Sequence, residues 1–122
     1  MSEHVSTAQA GREGESDVAR ILTSEGWAVV ARNFRSSRGE IDLVAVREDE
    51  IIFVEVKHWM RFDEGELLRA INGQKIRKII ETSKLFLSKY RQYSGKRIRY
   101  DVMFLSSDSS PRRYEGAFDE TV

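Results

Sequence analysis

The stretch Gly39-Glu40-Ile41-Asp42-Leu43-Val44-Ala45-Val46-Arg47-Glu48-Asp49-Glu50-Ile51-Ile52-Phe53-Val54-Glu55-Val56-Lys57 decides the fold. It holds two runs rich in Ile, Val, Leu and Phe, Glu40 to Val46 and Ile51 to Lys57, separated by a short charged segment, which is the pattern of a β-hairpin. Side chains alternate along a strand, so Ile41, Leu43 and Ala45 oppose Glu40, Asp42, Val44 and Val46 on the first arm. On the second arm Ile52, Val54 and Val56 oppose Ile51, Phe53, Glu55 and Lys57. Both faces are apolar in the middle, and such a hairpin must be covered on both sides, which makes it central in its sheet.

A two-residue turn at Glu48-Asp49 pairs Arg47 with Glu50, Val46 with Ile51 and, counting outward, Asp42 with Glu55. Any even-length loop puts Asp42, Glu55 and Lys57 on one face, because facing residues of an antiparallel pair share a side of the sheet. An odd-length loop would separate them. The turn lacks the glycine or asparagine that two-residue connections favour. The open end of the hairpin thus gathers Glu40, Asp42, Glu55 and Lys57. Carboxylates on neighbouring strands repel unless a positive charge lies between them, and Mg²⁺ takes oxygen ligands at about 2.0 to 2.1 Å. With Mg²⁺ or Mn²⁺ there, a phosphate oxygen would be polarised and a water acidified. Lys57 would orient that water or balance the charge that develops on phosphorus. The competing reading is a solvated sheet end with ordinary ion pairs, Asp42 to Lys57 among them.

Outward from the hairpin, Val18, Ala19, Ile21 and Leu22 fall on one helical face, and Gly26 reads as the cap of a helix begun after the Gly11 to Gly14 stretch. Trp27 to Phe34 reads as a strand and Arg35 to Gly39 as a turn. Beyond the hairpin, His58 to Glu66 has no clean period and reads as a loop bearing Trp59, Met60 and Phe62. From Gly73 to about Arg91, Ile76, Ile79, Ile80, Leu87 and Tyr90 mark an amphipathic helix whose charge comes from Lys75, Arg77, Lys78, Lys84 and Lys89. Arg97 to Leu105 alternates as a strand. The polar segment 107–122 is expected to trail off, with Arg113 to Phe118 as a candidate edge strand. The order is α-β-β-β-α-β, a single α/β (α+β) domain over residues 1–122 with its core at about 11–106.

Composition narrows the chemistry. The 122 residues include no cysteine, which excludes disulfides, thiolate metal sites and cysteine nucleophiles. No stretch approaches the roughly 20 apolar residues of a membrane span, and the start lacks the pattern of a signal peptide, so the expectation is a cytoplasmic protein without a membrane partner. Twenty Lys plus Arg balance 20 Asp plus Glu, which by itself argues against a nucleic-acid partner. The distribution reverses that inference: residues 1–66 carry 8 basic and 14 acidic groups, residues 67–100 carry 10 and 1, and residues 101–122 carry 2 and 5. A cationic helix is masked by acidic flanks.

The runs Gly39-Glu40-Ile41-Asp42-Leu43-Val44-Ala45 and Phe53-Val54-Glu55-Val56-Lys57 resemble the YraN family of small, largely uncharacterised bacterial proteins. The similarity extends from Gly11-Arg12-Glu13-Gly14-Glu15 through Asn33, the hairpin and Lys75 to Arg99-Tyr100-Asp101-Val102. Members look like nucleases of the restriction-endonuclease-like superfamily, marked by an Asp followed on the next strand by Asp/Glu-x-Lys. The resemblance implies that superfamily's core, a central mixed sheet flanked by helices. It implies that Asp42 and Glu55 are metal ligands and Lys57 the catalytic lysine. Glu15 matches the first-helix glutamate and would be a further acidic catalytic residue near the metal, as in archaeal Holliday-junction resolvases. A glutamate in the first turn is also favoured simply by the helix dipole. The family follows its lysine with a small residue and an arginine, where this chain has His58-Trp59.

The expected function is that of a Mg²⁺-dependent nuclease or nuclease-like DNA-binding protein. Lys75, Arg77, Lys78 and Lys84 on the basic helix, with Lys96, Arg97 and Arg99 beside it, would contact backbone phosphate. Charges spread along a helix suit structure-selective rather than sequence-specific binding. The alternative is a non-catalytic interaction or adaptor module, in which the acidic end of one chain meets the basic helix of another to form a homodimer, with Trp59, Met60 and Phe62 as anchors.

Overall fold

The computed structural model describes residues 7–58, 72–106 and 109–119. Trp59, Met60 and Phe62 lie outside the described residues. Helix α1 (Thr7–Ser24) leads into strands β1 (Ala28–Ser36), β2 (Gly39–Arg47) and β3 (Glu50–His58). Helix α2 (Gly73–Lys89) and a 3₁₀ turn (Arg91–Tyr93) are followed by β4 (Arg97–Ser106) and β5 (Ser109–Phe118). Neighbouring strands are consecutive in the order β1-β2-β3-β4-β5, antiparallel except for the parallel β3–β4 pair. Parallel neighbours need a crossover, and α2 is part of it.

The expected α-β-β-β-α-β order holds, with four differences. Helix α1 starts at Thr7 and runs through both Gly11 and Gly14 rather than beginning after them. The first strand covers Ala28–Ser36, so Trp27 precedes it, buried against α1. The candidate edge strand Arg113 to Phe118 is present and longer than expected, β5 running over Ser109–Phe118 of the segment otherwise read as trailing off, with Tyr114 paired to Val102 and Phe118 to Tyr100. Its apolar anchors, Tyr114, Ala117 and Phe118, are too widely spaced among charges to register as a periodic run. Ile41, expected beside Leu43 and Ala45, packs on the opposite side of the sheet.

Each helix ends for a local reason. Gly26 adopts a left-handed φ of 92°, which lets the amide of Trp27 reach back to the carbonyl of Leu22 at 3.0 Å and turns the chain into β1. The Asn72 side chain accepts the amide of Lys75 at 3.0 Å and caps the start of α2. The hairpin turn has the expected two residues, Arg47 facing Glu50 and Val46 facing Ile51. Glu48 itself takes the positive φ, 53°. The Arg97 guanidinium on Asp49 and the Arg97 amide on the Asp49 carbonyl tie this turn to the start of β4.

The sheet separates two apolar clusters. On the α1 side Val18, Leu22 and Trp27 pack on Leu43, Ala45, Ile52, Val54, Met103 and Leu105. On the α2 side Ile76, Ile79, Ile80 and Phe86 pack on Val44, Ile51, Phe53, Tyr100, Val102 and Phe104. Phe86 is the hub, its ring 5.1 Å from Phe34, 5.8 Å from Phe53 and 4.7 Å from Tyr90. No described helix is long and apolar enough to cross a membrane.

Candidate active site

The hairpin ladder runs from Arg47↔Glu50 to Leu43↔Val54. Beyond it the side chain of Asp42 replaces backbone pairing, its Oδ2 accepting the amide of Val56 at 2.7 Å. The break in alternation lies at this level of the neighbouring strand too. Arg32 of β1 pairs with Leu43 and donates to Ser16 of α1, whereas Phe34 pairs with Ile41 and packs with α2. Asn33 between them adopts a left-handed φ of 53°. Asparagine tolerates this backbone, and one such residue shifts the inward-outward phase of the strand. Ile41, the partner of Phe34, changes sides at the same level of the sheet.

A cleft of about 260 Å³ opens at this end of the sheet, lined by Gly39, Glu40, Asp42, Glu55, Lys57, Lys75, Lys78 and Ile79. The expected trio of Asp42, Glu55 and Lys57 is therefore together. Lys57 Nζ stands 3.1 Å from Glu55 Oε1. Lys75, Lys78 and Ile79 come from the first turns of α2, whose i, i+3 and i+4 spacing puts them on one side of the helix. Gly39 permits the approach: a Cβ there would lie 3.2 Å from Thr82 Oγ1 and 3.4 Å from the Lys78 Cβ.

Electrostatics in the cleft follow from burial and crowding. Burial, then the neighbouring Glu55 carboxylate, pushes the Asp42 pKa up to about 7. Burial works against the charge of Lys57, but its hydrogen bond to Lys75 and the carboxylates of Glu55 and Asp42 outweigh this and hold its pKa above the ordinary value. Burial, then the hydrogen bond and charge of Lys57, pushes Lys75 the other way. The two ammonium groups thus share the cleft with Lys57 the more firmly protonated of the pair.

Glu15 is buried, with 9% of its surface exposed, and is hydrogen-bonded to Asn33 rather than lining the cleft. Burial raises its pKa; the Asn33 bond works against this and the Glu40 charge adds to it. Its charge reaches Asp42 from the α1 side. One residue before it, Gly14 gives room for His58, whose Nε2 would lie 2.0 Å from a Cβ at that position.

The expected phosphate contacts divide. Lys75 and Lys78 reach the cleft, while Arg77 and Lys84 are exposed elsewhere on α2 and do not line it. Arg99 is a correction: it pairs with Ile52, on the α1 side of the sheet, and grips the buried Asp101 through two hydrogen bonds of 2.9 and 2.8 Å. Lys96 and Arg97 lie at the hairpin-turn end, away from the cleft, held to Glu48 and Asp49. The partnership of Arg99 was legible as Arg-x-Asp on one strand, since residues two apart share a face. Lys75 as partner of Lys57, and Asn33 as the holder of Glu15, carry no such local signal because each contact joins distant segments.

Among the described residues no three His, Cys, Asp or Glu side chains converge as a closed metal cage. Two carboxylates, one buried and costly to ionise, suit the open mode in which Mg²⁺ takes one or two carboxylates and completes its shell with water and substrate phosphate. The bond from the Val56 amide to Oδ2 fixes the Asp42 carboxylate at the edge of the cleft.

The match to known proteins covers this site. Residues 14–105 match the model of the uncharacterised protein family UPF0102. A UPF0102 protein of Treponema pallidum strain Nichols is 38% identical over 103 residues, 84% of this chain and 82% of the relative. One from Rhodopseudomonas palustris strain CGA009 is 30% identical over 117 residues, 96% and 88%. One from a strain of Pseudomonas fluorescens is 35% identical over 104 residues, 85% of each. The matched segment holds the whole hairpin, the cleft and the helix facing it, and the chain belongs to the UPF0102 (YraN) family.

Proposed function

We propose that this protein is a Mg²⁺- or Mn²⁺-dependent nuclease that hydrolyses phosphodiester bonds in DNA, working in the cytoplasm and selecting substrates by backbone shape. The convergence of Asp42, Glu55 and Lys57 in one cleft, opposite Lys75 and Lys78, carries this reading. A lysine beside paired carboxylates next to further cations suits a reaction that binds an anion and develops more negative charge in its transition state.

Asp42 and Glu55 would hold the cation, which when bound supplies a Lewis acid for a phosphate oxygen and for a water. Asp42 is held in place for this by the Val56 amide, which donates to its Oδ2. Glu55 keeps the Lys57 ammonium close to the reacting centre. Lys57, held charged, orients the attacking water and offsets the charge developing on phosphorus. Lys75 lies beside Lys57 and adds to the positive field over the cleft, and Lys78 contacts an adjoining phosphate. Arg77 and Lys84 add to the field that draws the polyanion in.

The test is cleavage of labelled linear, flapped and four-way DNA with Mg²⁺ or Mn²⁺. Lys57→Ala is expected to lower the rate by about 10² to 10³-fold, the scale of losing one preorganised transition-state contact. Calorimetric titration should detect cation binding by the wild type and lose it in Asp42→Ala plus Glu55→Ala. A wild type that binds neither cation and cuts no substrate would remove the enzyme reading in favour of a non-catalytic module.

A further inference from the structure

The connection between β1 and β2 is fastened to α2 at the mouth of the cleft. Ser36 Oγ lies 3.3 Å from Thr82 Oγ1 and accepts the amide of Arg38 at 3.0 Å. Thr82 donates to the carbonyl of Lys78 at 2.7 Å, and Gly39 packs against both residues. The turn is therefore built onto the same stretch of helix that supplies Lys78 to the cleft. Two arginines flank it, Arg35 near the end of β1 and Arg38 in the turn, with side chains 75% and 64% exposed.

Both arginines have only loose partners among the ion pairs of this turn. Arg35 stands 3.5 Å from Glu40 and Arg38 4.0 Å from Glu81, on carboxylates that are themselves exposed. Surface pairs of this kind contribute little, whereas a guanidinium matches phosphate with two parallel hydrogen bonds. On the α2 side the cations are Lys75, Lys78 and Arg38, against Glu81, while Arg35, between the α2-facing Phe34 and Ser36, stands across the sheet end beside Glu40 and acts on Glu15 of α1. The cationic excess therefore rims the end of the sheet where the cleft opens, on both faces.

Building on the nuclease reading, we propose that the β1–β2 turn is a second contact for the nucleic-acid backbone, with Arg35 and Arg38 gripping phosphates of the strand that leaves the cleft past Lys78. The carboxylates of Glu40 and Glu81 hold the two guanidinium groups at the mouth until phosphate displaces them. The occupant is a polynucleotide read through its phosphates, and the turn contributes affinity and strand direction rather than base preference.

The experiment measures binding of a fluorescein-labelled oligonucleotide, single-stranded and as a four-way junction, by anisotropy against salt in EDTA so that nothing is cut. Arg35→Ala plus Arg38→Ala should lower the slope of log affinity against log salt by about 1.4 to 1.8, two phosphate contacts' worth. Its affinity deficit should shrink about tenfold when salt rises fourfold. Arg35→Lys plus Arg38→Lys should keep the slope. Lys96→Ala plus Arg97→Ala, at the opposite end of the sheet, removes the same charge and should leave the slope unchanged. If the two alanine pairs lose equally, or if the turn variant matches a wild type that binds, the turn assignment fails while the nuclease reading stands. Displacement of the oligonucleotide by polyglutamate of equal charge would overturn it in favour of an acidic peptide. A wild type with no salt-dependent binding to either probe overturns both.

Discussion

Asp42 shows what one buried carboxylate costs a fold and how a ligand would repay it. Burial and Glu55 raise its pKa from 3.8 to about 7. Between those values the folded chain keeps a proton that the unfolded chain has released. The stability this contributes is complete below the unfolded value and is lost as pH rises through the folded one. In EDTA, Asp42→Asn should therefore gain thermal stability relative to the wild type as pH rises from about 4 to about 8. Mg²⁺ should raise the wild-type midpoint and leave the variant where it was. Arg99 makes the complementary case, because Asp101 is only 2% exposed and draws on the Arg99 guanidinium and the Gly116 amide. Arg99→Met leaves that buried charge half-satisfied and should destabilise by about 3 kcal/mol in urea titration. Adding Asp101→Leu should recover most of the loss. Charge counting assigned Arg99 to phosphate because it sums residues without asking which of them already face each other.

At the scale of elements, strand alternation predicted the hairpin register and the shared position of Asp42, Glu55 and Lys57, since both rest on local period and an even turn. It did not predict the phase flip, because alternation assumes every residue is extended. The left-handed Asn33 breaks that assumption, and the outcome is a site at the level where the flip occurs. Asn33→Val should be less stable than Asn33→Gly by about 1 to 2 kcal/mol, the cost of backbone strain alone, read by urea denaturation. Both should release Glu15 from its side-chain partner, so a further rise in the Glu15 pKa, followed by NMR titration, would be common to the two variants. The start of α1 was obscured for a related reason: glycines normally interrupt a helix, but Gly14 is needed for the close approach of His58.

For the whole molecule, the three-layer arrangement was readable from a hairpin apolar on both faces and two amphipathic helices. Which charges face outward was not, because the cationic segment 67–100 splits in three dimensions. Lys75 and Lys78 go to the cleft, Arg99 to a buried ion pair, and Lys96 and Arg97 to the far turn. The α2 layer depends on Phe86, 1% exposed amid Phe34, Phe53, Tyr90 and Tyr93. Phe86→Ala should cost about 3 to 5 kcal/mol in chemical denaturation and loosen the helix that presents Lys75, so that any cation or DNA binding weakens with it.

The kink at Asn33 has a second effect, on how copies of the chain meet. Among the described residues the five-stranded open sheet has two outer strands, β1 and β5, and a flat free edge invites pairing with another molecule. On β5, Pro111 lacks a donor, Arg112 and Arg113 bring charge, and Gly116 turns left-handed at φ 58°. On β1, the Val29/Ala31 irregularity and the left-handed Asn33 break the run of donors and acceptors. Neither margin offers a long regular template, so the residue that shapes the site also guards the protein against edge-to-edge aggregation.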